Sequence, residues 1–426
     1  GDVDFKADTG QGFLAGGTPP ASQTIEQTAE AFGAKITGVR AQDDAYVQAN
    51  VLKGDGGHYV FQKDSVISGM DEAVDIGDID HAVTIDSKEN TLSLKGKRRA
   101  VNVTSTQGVD ITAKALLAAA ESDTGPVAAI QVGNAKAFNK LQPHRLTIDG
   151  PVTAAAHGAD EARGLSVSGN AEVTINGRVT MRGDIGQEYG VGLKSGGSDH
   201  TSAAALYGEG NPYLHAGARV KINGDVDLKV DANGVLARGS GTNFDIAGGR
   251  VEVRRDNTMK YFALLAESAT INLNVQRDAA GMVTGAGTHS VTVRGNVGTL
   301  PEALDASDEE TYTRVNLGLA TPDSSWTGLA CNGFNEAGHV LGSKTFRGEI
   351  NLVLSQGATW TNEAYGALPT SLSADQQGSH LARLFGGASA AQAGVKNLTS
   401  GFNVLSAKMA AVMAVAATGA GLFNVT

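Results

Sequence analysis

Several short segments carry side-chain types that catalysis needs, although none forms a complete catalytic motif. Ser198-Asp199-His200 holds the three residue types of a nucleophilic triad. A working triad needs its serine, histidine and carboxylate to converge from separate elements, which three adjacent residues cannot do. Neither a G-x-S-x-G elbow nor a zinc-binding H-E-x-x-H helix occurs in the chain. The sequence therefore predicts no catalytic residues and favours a protein that is not an enzyme.

An acidic stretch is the best candidate for binding a metal ion. Its five carboxylates are Asp71, Glu72, Asp75, Asp78 and Asp80. Because Ca²⁺ takes six to eight oxygen ligands, such a stretch could supply several of them, with Asp75, Asp78 and Asp80 as the weak candidates. The alternative is a solvated loop or sheet edge that its charges protect against aggregation. No other cofactor or metal is predicted.

Arg182-Gly183-Asp184 is an integrin-type tripeptide that closes a predicted strand. In the functional interpretation, these three residues bind an integrin on a host cell and Asp184 is essential. In the alternative interpretation they form a polar turn, since a chain this rich in glycine contains such a triplet easily by chance. The sequence leaves both interpretations open.

Charge and composition exclude several classes of partner. The 34 basic residues are scattered and outnumbered by 45 acidic ones, which gives a formal net charge of −11. Nucleic-acid binding needs a concentrated basic patch, so no nucleic-acid partner is expected. Cys331 is the only cysteine, which excludes an internal disulfide. Glycine accounts for 56 of 426 residues while aromatics make up 5%, a balance that favours many short strands with tight turns.

A repeated pattern indicates how these strands are arranged. The segments 172–181, 219–228 and 290–297 each alternate polar and apolar residues on both sides of one glycine. Alternation with a period of two is typical of β-strands. Looser copies extend the series, whose glycines are Gly150, Gly177, Gly224, Gly249, Gly295 and Gly348. Successive glycines are 27, 47, 25, 46 and 53 residues apart, close to one or two multiples of about 25 residues.

This spacing predicts an all-β fold, a right-handed parallel β-helix (a solenoid) with protruding loops and a C-terminal cap. Each coil would supply two or three short strands, and equivalent residues would stack about 4.8 Å apart along the axis. Because one coil cannot bury its apolar face alone, neighbouring coils form the core and the ends need caps. A β-sandwich or a propeller is the structural alternative, although the aromatic signatures of propeller blades are absent.

The chain divides into five predicted segments. These are a loosely ordered lead-in at 1–24, a β-helix with surface loops at 25–300, an acidic loop at 301–314, a C-terminal β-helix region at 315–400, and an apolar Ala-rich cap or tail at 401–426. Within the second segment, Ile111 to Glu121 is the best helix candidate. Residues 184–212 and 300–312 are the predicted protruding loops.

Motifs near the C-terminus resemble those of the passenger domains of autotransporters, the type V secreted surface proteins of Gram-negative bacteria. These motifs span about 60 residues from Pro322 to Leu384 and are similar to the pertactin-like and AIDA-like groups. The matching segments are Ser324–Gly328, Ile350–Asn362 with Gly357, Ala358 and Trp360, and Ser379–Leu384. The Ala-rich residues after Lys396 depart from the family pattern.

The resemblance implies a β-helix exported to the bacterial cell surface or outer membrane, or secreted, and acting as an adhesin or virulence factor. It also implies a C-terminal translocator β-barrel in the full-length precursor. The expected partner is a host-cell surface protein or glycan, with self-association as another outcome. The alternative function is a β-helical polysaccharide-acting enzyme, a lyase or glycosidase, with its carboxylates in a groove along one face.

Overall fold

The computed structural model is all-β over the residues that it describes. These residues are 3–6, 14–15, 58–61, 64–69, 71–77, 82–122, 124–133, 142–158, 161–183, 202–210, 216–254, 261–301, 311–334, 338–341, 344–366, 379–386, 394–396 and 424–425. Helices are absent from this part of the chain, so it offers no helix that could cross a membrane. The tail expected at 401–426 lies outside the described residues except for 424–425. The acidic loop expected at 301–314 lies outside them at 302–310, but residues 311–314 are not part of a loop because they begin the strand Thr311–Leu319.

The strands are β1 (Val3–Lys6), β2 (Leu14–Ala15), β3 (His58–Val60), β4 (Ser65–Ser68), β5 (Glu72–Ile76), β6 (Val83–Gly96), β7 (Arg99–Val103), β8 (Val109–Ser122), β9 (Val127–Gly133), β10 (His144–Asp149), β11 (Val152–Gly158), β12 (Ala162–Ser168), β13 (Ala171–Ile175), β14 (Val179–Gly183), β15 (Ala204–Glu209), β16 (Arg219–Val230), β17 (Asn233–Arg238), β18 (Asn243–Val253), β19 (Phe262–Glu267), β20 (Thr270–Leu273), β21 (Val275–Arg277), β22 (Val283–Ala286), β23 (Val291–Arg294), β24 (Asn296–Leu300), β25 (Thr311–Leu319), β26 (Ser325–Thr327), β27 (Ala330–Asn332), β28 (His339–Leu341), β29 (Lys344–Leu354), β30 (Thr359–Thr361), β31 (Arg383–Gly386), β32 (Gly394–Lys396) and β33 (Asn424–Val425). Two compact units contain them: Gly1–Tyr189 with Gly217–Gly224, and Gly190–Ala216 with Asp225–Thr426.

In the first unit, strands pair in parallel in three columns. The first column contains β3, β10, β13 and the first halves of β6, β8 and β16. The second contains β1, β4, β11, β14 and the second halves of β6 and β8. The third contains β2, β5, β7, β9 and β12. Sheets paired in this way are compatible with a β-helix or solenoid.

A single row of apolar side chains shows how the first column builds a core. Consecutive members lie in register on neighbouring strands, and each is at most 1% exposed. The row consists of Tyr59, Ile85, Ile111, Ile148, Ile175 and Ile222. β-Branched side chains suit this position because they pack well on a pleated surface. Along β6, β10 and β13, polar residues alternate with the members of this row and are more exposed.

The predicted helix at 111–121 is wrong, because this segment lies within β8. Its burial alternates along the strand, with Ile111, Ala113, Leu116, Ala118 and Ala120 buried. Alanine and leucine favour helices locally, but β8 pairs with β6 and with β10 and β11, and these long-range contacts outweigh that preference. β6 contains two alternating segments of the same kind, at 83–86 and 91–95.

Close backbone approach explains part of the glycine series. A Cβ atom on Gly177 would lie 2.1 Å from the carbonyl oxygen of Gly150, and one on Gly224 would lie 2.4 Å from that of Gly177. Only glycine fits such a stack. The six glycines of the series do not occupy equivalent positions, however. Gly249 pairs with Val291 on β18 and β23, whereas Gly348 pairs with Thr313 on β29 and β25.

The strands of the second unit also pair in three parallel columns, and its core contains larger aromatic side chains. Its first column contains β20, β25, β29, β31 and the first half of β18. Its second contains β23, β26, β30, β32, β33 and the second half of β18, and its third contains β15, β17, β19, β24 and β27. β15 is buried along most of its length, so residues 204–209 are not part of the surface loop predicted at 184–212.

Two buried aromatic features stabilise the second unit. Trp326 and Trp360 are in register on β26 and β30 and stack with centroids 4.8 Å apart and planes 8° from parallel. Each indole Nε1–H donates to a backbone carbonyl, of Gly295 and Gly328 respectively, at 3.0 Å. A further apolar cluster joins Ala204, Tyr207, Leu236, Phe262, Leu265, Leu300, Leu329 and Cys331. Such aromatic burial contributes strongly to stability because these side chains remove large apolar areas from water.

Candidate functional site

The structure describes only part of the acidic stretch that the sequence offered for calcium binding. Asp75 lies on β5, where its Oδ1 accepts a 2.8 Å hydrogen bond from Asn102 Nδ2. Glu72 pairs with Arg99 at 2.7 Å, and burial raises the pKa of its carboxyl despite that positive charge. Asp78 and Asp80 lie outside the described residues. Over the described part of the chain, no group of three or more His, Cys, Asp or Glu side chains could hold a metal ion.

The remaining sequence candidates are only partly described. Arg182 and Gly183 are the last residues of β14, whereas Asp184 falls beyond the described residues, as does Ser198-Asp199-His200. Cys331 is fully buried, and desolvation raises the pKa of its thiol to about 12. This thiol is therefore a packed apolar group and not a nucleophile at neutral pH.

The most regular accessible arrangement of polar side chains lies on the first column of the first unit. It comprises the outward-facing residues of β10, β13 and β16 together with the residue that follows β13. We call it the polar grid, and its members are Arg145, Thr147, Asp149, Glu172, Thr174, Asn176, Arg219, Lys221 and Asn223. Because the strands are parallel and in register, chemically related side chains repeat about every 4.8 Å across the sheet.

One row of the polar grid is charged. Arg145 Nε donates to Glu172 Oε2 and Arg219 Nη1 donates to Glu172 Oε1, both at 2.9 Å. Burial alone would raise the pKa of Glu172, but the hydrogen bonds and charges of the two arginines hold it below its ordinary value. The arginines are more than half exposed and keep further N–H groups for an incoming acceptor.

A second row of the polar grid consists of a carboxylate and two amides. Asn176 Nδ2 donates to Asp149 Oδ1, and Asn223 Nδ2 donates to Asn176 Oδ1, each at 2.6 Å. Asn176 and Asn223 are exposed. Between the two rows lie Thr147, Thr174 and Lys221, so the grid presents donors and acceptors across a flat strand surface.

The second unit has an asparagine row of similar design that is not accessible. Asn316 Nδ2 donates to Asn272 Oδ1 at 2.7 Å, and Asn351 Nδ2 donates to Asn316 Oδ1 at 2.8 Å. All three residues are at most 4% exposed. The antiparallel hairpin of β21 and β22 packs against β25 and β29 on this side, and Arg277 of the hairpin pairs with Asp245 beside the row.

Sequence reasoning used the repeats that contain the polar grid as evidence of fold and missed them as a surface. The signal was present in R-L-T-I-D-G, E-V-T-I-N-G and R-V-K-I-N-G, whose alternate positions are all polar. Their alignment across the sheet depends on which segments form neighbouring strands. Glu172 and Arg219 are 47 positions apart in the sequence, so their pairing cannot be seen from the local pattern.

Comparisons with known proteins give no relative for this chain. No protein-family model matches it, and neither a curated protein nor a solved structure is similar to it.

Proposed function

We propose that this chain is a right-handed parallel β-helix that acts as an autotransporter-type passenger, displayed on a bacterial surface or secreted, and that it binds host-cell proteins or glycans as an adhesin. The in-register stacking of equivalent residues on successive parallel strands supports the solenoid. The pairing of β33 with β32 supports our assignment of the C-terminal residues to a cap. The motifs between Pro322 and Leu384 support the passenger assignment.

The polar grid is the observation that carries the binding proposal. Its charged row leaves two arginines more than half exposed, and beside them lie two threonine hydroxyls, one lysine and the amide row. Guanidinium groups bind carboxylates and phosphates through paired hydrogen bonds, and amides and hydroxyls suit sugar hydroxyls. A repeat of about 4.8 Å along the surface suits an extended polymer or peptide better than a small molecule.

Binding of the purified chain to cultured epithelial cells and to an array of acidic and neutral glycans tests this proposal. We expect saturable binding that the triple substitution Arg145→Ala, Glu172→Ala and Arg219→Ala weakens at least about tenfold, since each charge-assisted hydrogen bond contributes about 1.5–3 kcal/mol. Arg294→Ala removes an exposed charge on β23 in the second unit and is the matched control. Absence of binding to cells and glycans, or equal binding by the triple variant and the control, would contradict the proposal.

A further inference from the structure

We propose that Asn176 and Asn223 of the polar grid are modification sites, at which the side-chain amide is lost spontaneously to give aspartate or isoaspartate. This inference concerns the chemistry of the chain itself and does not depend on the proposed adhesin function. It rests on three observations, namely the residue that follows each asparagine, the packing that fixes this residue, and the exposure of the amide.

The reaction needs an asparagine followed by an accessible backbone nitrogen. The backbone nitrogen of the next residue gives up its proton and attacks the side-chain Cγ. A C–N bond forms, the Cγ–Nδ2 bond breaks, and Nδ2 takes up one proton and leaves as ammonia. Water then opens the resulting succinimide at either carbonyl and yields aspartate or isoaspartate. Glycine is the most favourable next residue because it has no Cβ to hinder the approach. Asn-Gly occurs four times, at 176–177, 223–224, 233–234 and 332–333.

Packing keeps glycine next to the two asparagines of the polar grid. Gly177 and Gly224 belong to the glycine stack, where an added Cβ would lie within 2.4 Å of a backbone oxygen. The chain therefore cannot replace either glycine without moving the backbone of the neighbouring strand. The close approach that builds the sheet thus retains the reactive dipeptide at the surface.

The side-chain amides of Asn176 and Asn223 are not held by the backbone. Both asparagine side chains are exposed, and their amides bond only to other grid side chains. Within the described residues, the Gly177 N–H makes no hydrogen bond, so its nitrogen is available for attack. Asn223 lies at the end of the amide row and is tethered through Nδ2 alone.

The other two Asn-Gly pairs are held by the backbone. Asn233 is fully buried, its Nδ2 donates to Ala203 O, and its Oδ1 accepts from Phe262 N at 2.8 Å. Asn332 Oδ1 accepts from Thr299 Oγ1 and Phe334 N, and its Nδ2 donates to Gly348 O, all at 3.0 Å. The Gly333 N–H also donates to Thr299 O at 2.7 Å. These pairs provide matched controls within one molecule.

Reaction at either grid site changes the polar grid. An aspartate at position 223 would place a carboxylate against Asn176 Oδ1, so an acceptor would face an acceptor. Reaction at both sites would turn the amide row into three carboxylates with Asp149, which repel one another. Isoaspartate also inserts a methylene into the backbone and shifts the register of the strand.

Peptide mapping of the intact chain after incubation at mildly alkaline pH and 37 °C tests the proposal. We expect gains of about 1 Da, with isoaspartate, at Asn176 and Asn223, at rates at least about tenfold above those at Asn233 and Asn332. That ratio corresponds to about 1.4 kcal/mol of local opening free energy at the protected sites. In urea all four sites should react at similar rates. Equal rates in the folded chain, or protection of the grid pair, would overturn the proposal.

A variant provides a second measurement. Glutamine closes the corresponding ring much more slowly, so the double substitution Asn176→Gln and Asn223→Gln should remove the acidic forms that accumulate on anion-exchange chromatography. Asn362→Gln, at a buried asparagine not followed by glycine, should leave them unchanged. Persistence of the acidic forms in the double variant would place the modification elsewhere and contradict the assignment.

Discussion

The two amide rows use the same chemistry in opposite surroundings. In the first unit, Asn176 and Asn223 extend from Asp149 across an exposed strand surface. In the second unit, Asn272, Asn316 and Asn351 form the equivalent chain of hydrogen bonds under a hairpin, at most 4% exposed. A row of in-register amides can therefore lie either on an exposed surface or in the interior. The hairpin of β21 and β22, rather than the row itself, decides which role is possible.

The largest expected effect comes from the centre of the covered row. Asn316→Ala leaves the Asn351 amide without its acceptor and Asn272 Oδ1 without its donor. Because both of these groups are buried, we expect the free energy of unfolding to fall by about 3 kcal/mol. The matched substitution Asn176→Ala leaves its hydrogen-bond partners exposed to water, which can replace the lost bonds. It should therefore lower the free energy of unfolding by only about 0.5 kcal/mol. Hydrogen exchange with mass spectrometry on peptides from β25 and β13 measures both. Equal losses of stability in the two variants would mean that solvent exposure does not change the energetic contribution of the amide rows.

A smaller loss of stability is expected from a substitution in the hairpin of β21 and β22. Arg277→Ala removes the ion pair with Asp245, whose side chains are both 32% exposed, so the cost should be below about 1 kcal/mol. Hydrogen exchange should become faster in residues 275–286 and remain unchanged in β13. Arg347→Ala on β29 serves as the control substitution. Unchanged exchange in the hairpin would show that Arg277 does not hold it over the row.

The smallest expected effect is the pH dependence of the charged row in the polar grid. Because the pKa of Glu172 is lowered in the folded chain, its contribution to stability is present above the ordinary glutamate pKa of 4.5 and is lost as the pH falls through the folded value. This contribution should be below about 1 kcal/mol, since the pairs are partly exposed. Carboxyl NMR should show Glu172 titrating below 4.5, and the variant Arg145→Ala and Arg219→Ala should raise its pKa. A pKa at or above 4.5 in the parent chain would contradict the ion-pair geometry.

Local patterns predicted much of the strand content and little of its arrangement. Alternation identified β13, β23 and the first half of β16 because one face of each is buried. The helix predicted at 111–121 failed because strand pairing on both sides of β8 is a long-range property. The polar grid needed the pairing of Glu172 with Arg219 across 47 residues, which no local window contains. The hairpin over the second amide row is an insertion with antiparallel pairing, which the parallel repeat does not anticipate.

The stacked indoles also determine what optical spectroscopy can detect in this protein. Trp326 and Trp360 are the only two tryptophans of the chain, and both lie in the second unit. Their emission therefore reports the surroundings of β26 and β30 in that unit, whereas the first unit contains no tryptophan. A tryptophan introduced at Tyr59 would give the first unit a fluorescent reporter of its own.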